Sequence, residues 1–277
     1  MDGGSRPLIV AHRGASGAFA ENTRAAFLHA AALGSDLIET DLHLTADHHV
    51  VCTHAHMLEQ PGDGPPVPIH QLTLEQLRSL DFHTWMGAEI PAEYGTSADQ
   101  FMTLPELLAA VAGLGQDIGL LLEMKEPYPF GRLLEQRVLE DLTAVGWSAE
   151  DSHVPGADGA TIGISFISFD PESIQYLVDA GVPKELLMAV VSPRRADNAK
   201  LIDAGLVGVA APKWDWVHES EENAAKVREW KTRGLQLNIW TLNDESGVQE
   251  SLDYDVDFIT TDFPDIAISA LGQAATA

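Results

Sequence analysis

Glu39, Asp41 and His43 stand at every second position of the stretch Leu37 to His56, LIETDLHLTADHHVVCTHAH. The spacing predicts a strand, a tight turn through Ala46-Asp47-His48-His49, and a short return strand on which Cys52 and His54 align in the same way. Side chains alternate faces along a strand, so the two carboxylates and His43 share one face while Ile38, Thr40 and Leu42 share the other. Ionisable groups aimed together from one strand are costly to bury unless they are paired or bound to a cation. A strand with its apolar face outward and its carboxylates inward suits a barrel with a polar mouth that holds a metal. The alternative is an edge strand whose polar face meets water.

The elements that must position these groups can be read in order. Pro7 to His12 is a short apolar run ending in His12-Arg13-Gly14, and Asn22 is a candidate N-cap for an Ala-rich helix over 24–33 that Gly34 stops. Residues 57–102, with prolines and glycines at 61–68 and a capping-box helix start at Thr73, read as an insertion over one end of the domain. Helical patterns at 103–111, 130–145, 171–180, 195–204, 219–233 and 245–252 then alternate with apolar strands at 118–124, 163–168, 186–191, 207–211, 235–241 and 258–261. With the first two strands this makes eight β/α units in about 250 residues, the pattern of a TIM barrel. The chain is thus expected to be a single α/β barrel domain over 1–277 with its insertion at 57–102. The polar residues fall at strand ends: His12-Arg13, Glu39 and Asp41, Glu123 and Lys125, Trp240 and Asn243, Thr261-Asp262. In a TIM barrel these ends gather at one mouth. Taken singly, each has a plainer reading, such as a strand-end ion pair between Glu123 and Lys125.

Composition narrows the function. The net charge is −26, from 42 acidic against 16 basic residues, which argues against nucleic acid or an anionic membrane surface as partner. No apolar run approaches the roughly 18 residues of an integral membrane segment. The N-terminal MDGGSRPLIV lacks the layout of a signal peptide, and Cys52 is the sole cysteine, so the expected setting is reducing and cytoplasmic.

The motifs together resemble the glycerophosphodiester phosphodiesterase family. The likeness runs through AHRGASGAFAENTRAAFLHAAALGSDLIETDLHLTADHHVVCTH, PVPIHQLTLEQLRSLD, FMTLPELL, LLEMKEP, ISFDPESI, NIWTLND and DFITTDFPD, in the family's order over nearly the whole chain. It implies a TIM barrel with a small insertion after the second strand. It also implies Mg2+ or Ca2+ held by Glu39, Asp41 and Glu123, with His12 and His54 as the acid–base pair. Arg13 and Lys125 would hold the phosphate of a glycerophosphodiester, and Trp240 would wall the glycerol or alcohol moiety or simply pack at its strand end. Two positions depart from the family pattern. Ala20 replaces the proline before Glu21-Asn22-Thr23, and Ala55 replaces the aspartate after His54.

The chemistry is consistent with that reading. Carboxylates are hard oxygen ligands suited to Mg2+ or Ca2+. Arginine's planar fork can meet two phosphoryl oxygens, and histidine titrates where proton transfer at neutral pH requires. Two further functions stay in view: a phospholipase-D-like enzyme on lysophospholipids, and a non-catalytic barrel that binds phosphate esters, the latter prompted by Ala55.

Overall fold

The computed structural model describes residues 6–58, 65–125 and 128–274; the Pro/Gly stretch at 59–64 therefore lies outside the described residues. The barrel strands are β1 (Leu8–Ala11), β2 (Leu37–Leu44), β3 (Ile118–Met124), β4 (Thr161–Ser168), β5 (Leu187–Val191), β6 (Val209–Pro212), β7 (Gln236–Ile239) and β8 (Phe258–Thr261). Each pairs in parallel with the next, and β8 returns to β1 with Val10 opposite Thr260 and Ala11 opposite Thr261. The sheet therefore closes on itself.

Strands buried on both faces read as nearly continuous apolar runs, and β3 (IGLLLEM) and β5 (LMAVV) do so. Period two splits them. Val10, Leu121, Ile167, Met188, Val190, Val209, Ala211 and Phe258 pack inside the barrel. The alternate positions, among them Ile9, Ile38, Leu42, Leu120, Leu122 and Ile259, join the layer beneath the helices. Following the inner row to the C-terminal strand ends brings polar groups into one ring: His12 after β1, Glu39 and Asp41 on β2, Glu123 and Lys125 at the end of β3, and Asp262 after β8.

The helix Arg24–Leu33 shows how local sequence sets this ring. Its N-cap is Thr23, whose hydroxyl accepts from the Ala26 N–H, and Gly34 ends it in the left-handed conformation. Asn22, the expected cap, instead adopts φ 56° and turns its amide into the barrel mouth. The loop carrying His12 and Arg13 is pressed onto that helix. A Cβ on Gly14 would lie 2.6 Å from the Ala26 carbonyl carbon, and one on Gly17 would enter the Phe263 ring. Only glycine permits both approaches.

The structure departs from the sequence reading in several local respects. The return strand is Val50–Cys52 and ends before His54. Cys52 pairs with Leu42 and packs in the outer apolar layer, not on the face of the carboxylates. The helix expected over 219–233 is Glu221–Thr232, capped by the extended Ser220, and a separate short helix, Trp214–Glu219, precedes it where none was expected. A short antiparallel strand, His153–Pro155, flanks β4 with no clear periodic signal of its own. Between β2 and β3 the described residues from Met57 to Gln100 add no barrel strand. They are anchored by a satellite cluster of Val51, Ile69, Leu77 and Phe101.

Candidate active site

The inner row ends in a small cavity of about 160 Å3 at the mouth, lined by His12, Glu39, His54, Glu123, Lys125 and Trp240 among others. Glu39, Asp41 and Glu123 are all buried, and one oxygen from each lies within 4.8 Å of the others. Glu39 Oε2 accepts the Arg13 backbone N–H at 2.8 Å, while its buried Oε1 has no hydrogen-bond partner among the described residues. Burial, reinforced by the charge of Asp41, pushes the Glu39 carboxyl up to about 8. Burial likewise raises Glu123, to about 6, although Lys125 opposes the rise.

Asp41 goes the other way. Burial alone would raise it, but Lys125 and Arg13 outweigh that and hold it well below the usual carboxylate range. Lys125 Nζ lies 2.6 Å from Asp41 Oδ1 and also contacts Glu123. Arg13 Nε lies 3.1 Å from Asp41 Oδ2, and Asn22 Nδ2 donates to the same oxygen at 2.7 Å. The Asn22 carbonyl accepts from the Thr40 hydroxyl and the Asp41 N–H, which fixes its amide orientation.

Both histidines reach this cluster. His12 Nδ1 lies 2.6 Å from Asp262 Oδ1. Burial disfavours its cation, yet the Asp262 hydrogen bond and the Glu39 charge outweigh it, and the imidazole titrates above its ordinary value. Asp262 is held low despite burial by that bond, so it accepts and His12 Nδ1 donates. His12 Nε2 is then the basic nitrogen of the neutral ring. Asn243 Nδ2 and the Ser16 hydroxyl also donate to Asp262, completing its orientation. His54 is half-exposed, shifted down by burial with Asp41 opposing, and its Nδ1 stands 3.8 Å from Glu21 Oε1. Glu21 Oε2 in turn accepts from Arg13 Nη1 at 2.7 Å.

This is the arrangement expected of phosphodiester chemistry, and comparison with known proteins decides the family. Residues 12–266 match the model of the glycerophosphoryl diester phosphodiesterase family. The chain belongs to that family. The glycerophosphodiester phosphodiesterase of Bacillus subtilis strain 168 is 26% identical over 94% of this chain and 85% of its own length. A Mycobacterium tuberculosis relative named "Probable glycerophosphodiester phosphodiesterase 1" is 35% identical over 147 residues, so the match spans about half of each protein, 53%. Among solved structures, the Oleispira antarctica phosphodiesterase in complex with sn-glycerol-3-phosphate superposes with a TM-score of 0.76 at 23% identity, covering 96% of this chain and 97% of that one. The glycerophosphodiester phosphodiesterase of Thermotoga maritima gives 0.69 at 20% identity over 96% and 99%. At these identities the structural likeness speaks for the barrel.

For this family member, the structure gathers every site residue expected from the sequence at one mouth. Trp240 lines the cavity, packs edge-on against Phe169, and donates its indole N–H to the Ala211 carbonyl, so packing and lining are combined. The strand-end ion pair of Glu123 with Lys125 is present as well. His43 lies beyond the carboxylates toward the insertion, its ring edge-on to His56 at 4.7 Å, and burial drives it down to about 3. Asp262, Asn22 and Glu21 are the groups whose roles the sequence reading missed. Asp262 stood among the strand-end polar residues and Glu21-Asn22 in the motif, but nothing in the spacing told which side chains they meet.

Proposed function

We propose that the chain hydrolyses glycerophosphodiesters to glycerol 3-phosphate and an alcohol. The observation that carries this is the convergence of three buried carboxylates, two histidines, Arg13 and Lys125 on one cavity of a family barrel. The donor set fits a hard divalent cation: all ligands are oxygens, Glu39 Oε1 has no hydrogen-bond partner among the described residues, and burial pushes the Glu39 carboxyl toward its neutral form. Glu39, Asp41 and Glu123 would hold Mg2+ or Ca2+, which when bound supplies Lewis-acid stabilisation of the phosphoryl charge.

The remaining steps fall to the protein. Lys125, set between Asp41 and Glu123, and Arg13 place positive charge where phosphoryl oxygens gain negative charge. His12, its tautomer fixed by Asp262, presents Nε2 for proton transfer. His54 is the second proton-transfer group and stands at the rim, where the other half of the diester leaves. Phe169 and Trp240, packed edge-on at the cavity wall, would offer an apolar surface to the three-carbon half of the substrate.

The test is direct. Purified protein is incubated with glycerophosphocholine and either Mg2+ or Ca2+, and release of sn-glycerol 3-phosphate is followed. Turnover that chelation abolishes and cation restores is expected. No turnover with either cation would overturn the activity, and turnover indifferent to exhaustive chelation would overturn the metal site.

A further inference from the structure

The diester's second half must leave the small inner cavity, and two outer cavities adjoin it at His54. One, of about 300 Å3, lies toward the insertion and carries Glu21 and Asp81. It shares only His54 with the inner cavity. The other, of about 380 Å3, shares four residues with it, His54, Glu123, Lys125 and Phe169. The second space is therefore the more extensive continuation of the inner cavity. Its far side is formed by the loop after β5, with Arg194 and Arg195.

Two adjacent arginines are conspicuous in a chain with 16 basic residues against 42 acidic ones. Arg194 is exposed and forms no ion pair with any carboxylate among the described residues. Asp170 also lines the space but is committed elsewhere: Oδ2 takes Arg132 at 2.6 Å and Oδ1 caps the helix Pro171–Asp179. The cavity thus offers the Arg194 guanidinium at one end and the proposed reaction centre at the other. Resting on the phosphodiesterase reading above, we propose that it is a head-group subsite selecting diesters whose alcohol carries its own anionic group, a phosphate above all. Guanidinium forks meet phosphate oxygens bidentately, whereas a quaternary ammonium head group would be repelled.

The experiment compares bis(glycerophospho)glycerol, which carries a second phosphodiester, with glycerophosphocholine. The quantity read is the ratio of their kcat/KM values. The parent is expected to favour the anionic substrate, and Arg194→Ala to lower that ratio about tenfold at low salt, as loss of a charge-assisted contact does. Arg194→Glu should lower it further, and circular dichroism reports whether each variant is folded. A ratio that neither substitution changes, or a parent that prefers glycerophosphocholine, overturns the subsite. Calorimetric binding of both diesters runs in parallel. If the parent turns over neither, the hydrolytic reading fails, while binding that favours the anionic diester and loses that preference in Arg194→Glu still upholds the subsite, and binding without preference sinks it.

Discussion

Asp262 holds the ring of His12 across the seam where the barrel closes, Oδ1 to Nδ1 at 2.6 Å. The two residues stand directly after paired positions, Ala11 on β1 and Thr261 on β8, so closure of the sheet makes the contact. Their separation along the chain is 250 residues.

The contact predicts a graded kinetic pattern. His12→Ala should lower kcat on the order of 10²–10⁴-fold, the range of a general acid–base group. Asp262→Asn should cost less, because the ring stays but loses its charged acceptor. Without that carboxylate His12 titrates lower, so the limb of the pH–rate profile that reports it should move to lower pH. An Asp262→Asn enzyme with reduced kcat and an unmoved profile would make Asp262 a structural residue only.

The carboxylate cluster couples cation binding to protons. In the folded, metal-free chain Glu39 titrates near 8 against an ordinary value of 4.5, and Glu123 near 6. Between the ordinary and raised values the folded state holds protons that the unfolded chain has lost. Stability from these groups is therefore greatest at low pH and falls as pH rises through that window. A cation must displace the same protons, so its affinity should climb from about pH 5.5 to about pH 8.5 and then level off. Calorimetric titration in buffers of different ionisation enthalpy counts the protons released. Affinity flat across that window would mean that the carboxylates are already ionised.

Lys125 is the internal counter-charge of the metal-free site. Replacing it with Met leaves Glu123 without its lysine partner and Asp41 with Arg13 as its remaining cation. Breaking a buried pair in this way costs about 3–5 kcal/mol. Lys125→Met should thus unfold at a clearly lower temperature in EDTA, and Mg2+ or Ca2+ should raise its Tm more than it raises the parent's. Equal cation effects in both proteins would show that Lys125 and the cation do not share the same carboxylates.

Much of this was legible because period-two and helical patterns are local. The run Leu37–Leu44 shows its carboxylate face by alternation alone, and β1, β3, β5 and β8 announce themselves as apolar segments. What stayed hidden depends on contacts between distant segments. Asn22 looks like a helix cap, yet Asp41 recruits its amide and Thr23 becomes the cap. His54 looked like part of the return strand because alternation does not mark where a three-residue strand ends. The partner of His12 is set by barrel closure, which no local pattern encodes.

Glu21 bears on the departure at Ala55. Among the described residues it is the carboxylate nearest His54, at 3.8 Å, a separation that a direct hydrogen bond does not span but a charge interaction does. Ala55 is half-buried and lines the same 300 Å3 cavity as Glu21, so a carboxylate introduced there has room and access to water. Both sites act on one imidazole, which makes them testable against each other. Glu21→Gln removes a charge that favours the imidazolium, so the His54 titration should move down. Ala55→Asp should move it up and, added to Glu21→Gln, should restore part of the lost shift. The rate in Glu21→Gln falls for a second reason, since Arg13 loses its partner at 2.7 Å, and Ala55→Asp is not expected to repair that part. NMR titration of the His54 ring in the four proteins of the cycle separates the two effects. A His54 titration indifferent to both substitutions would mean that Arg13, not His54, is what Glu21 serves.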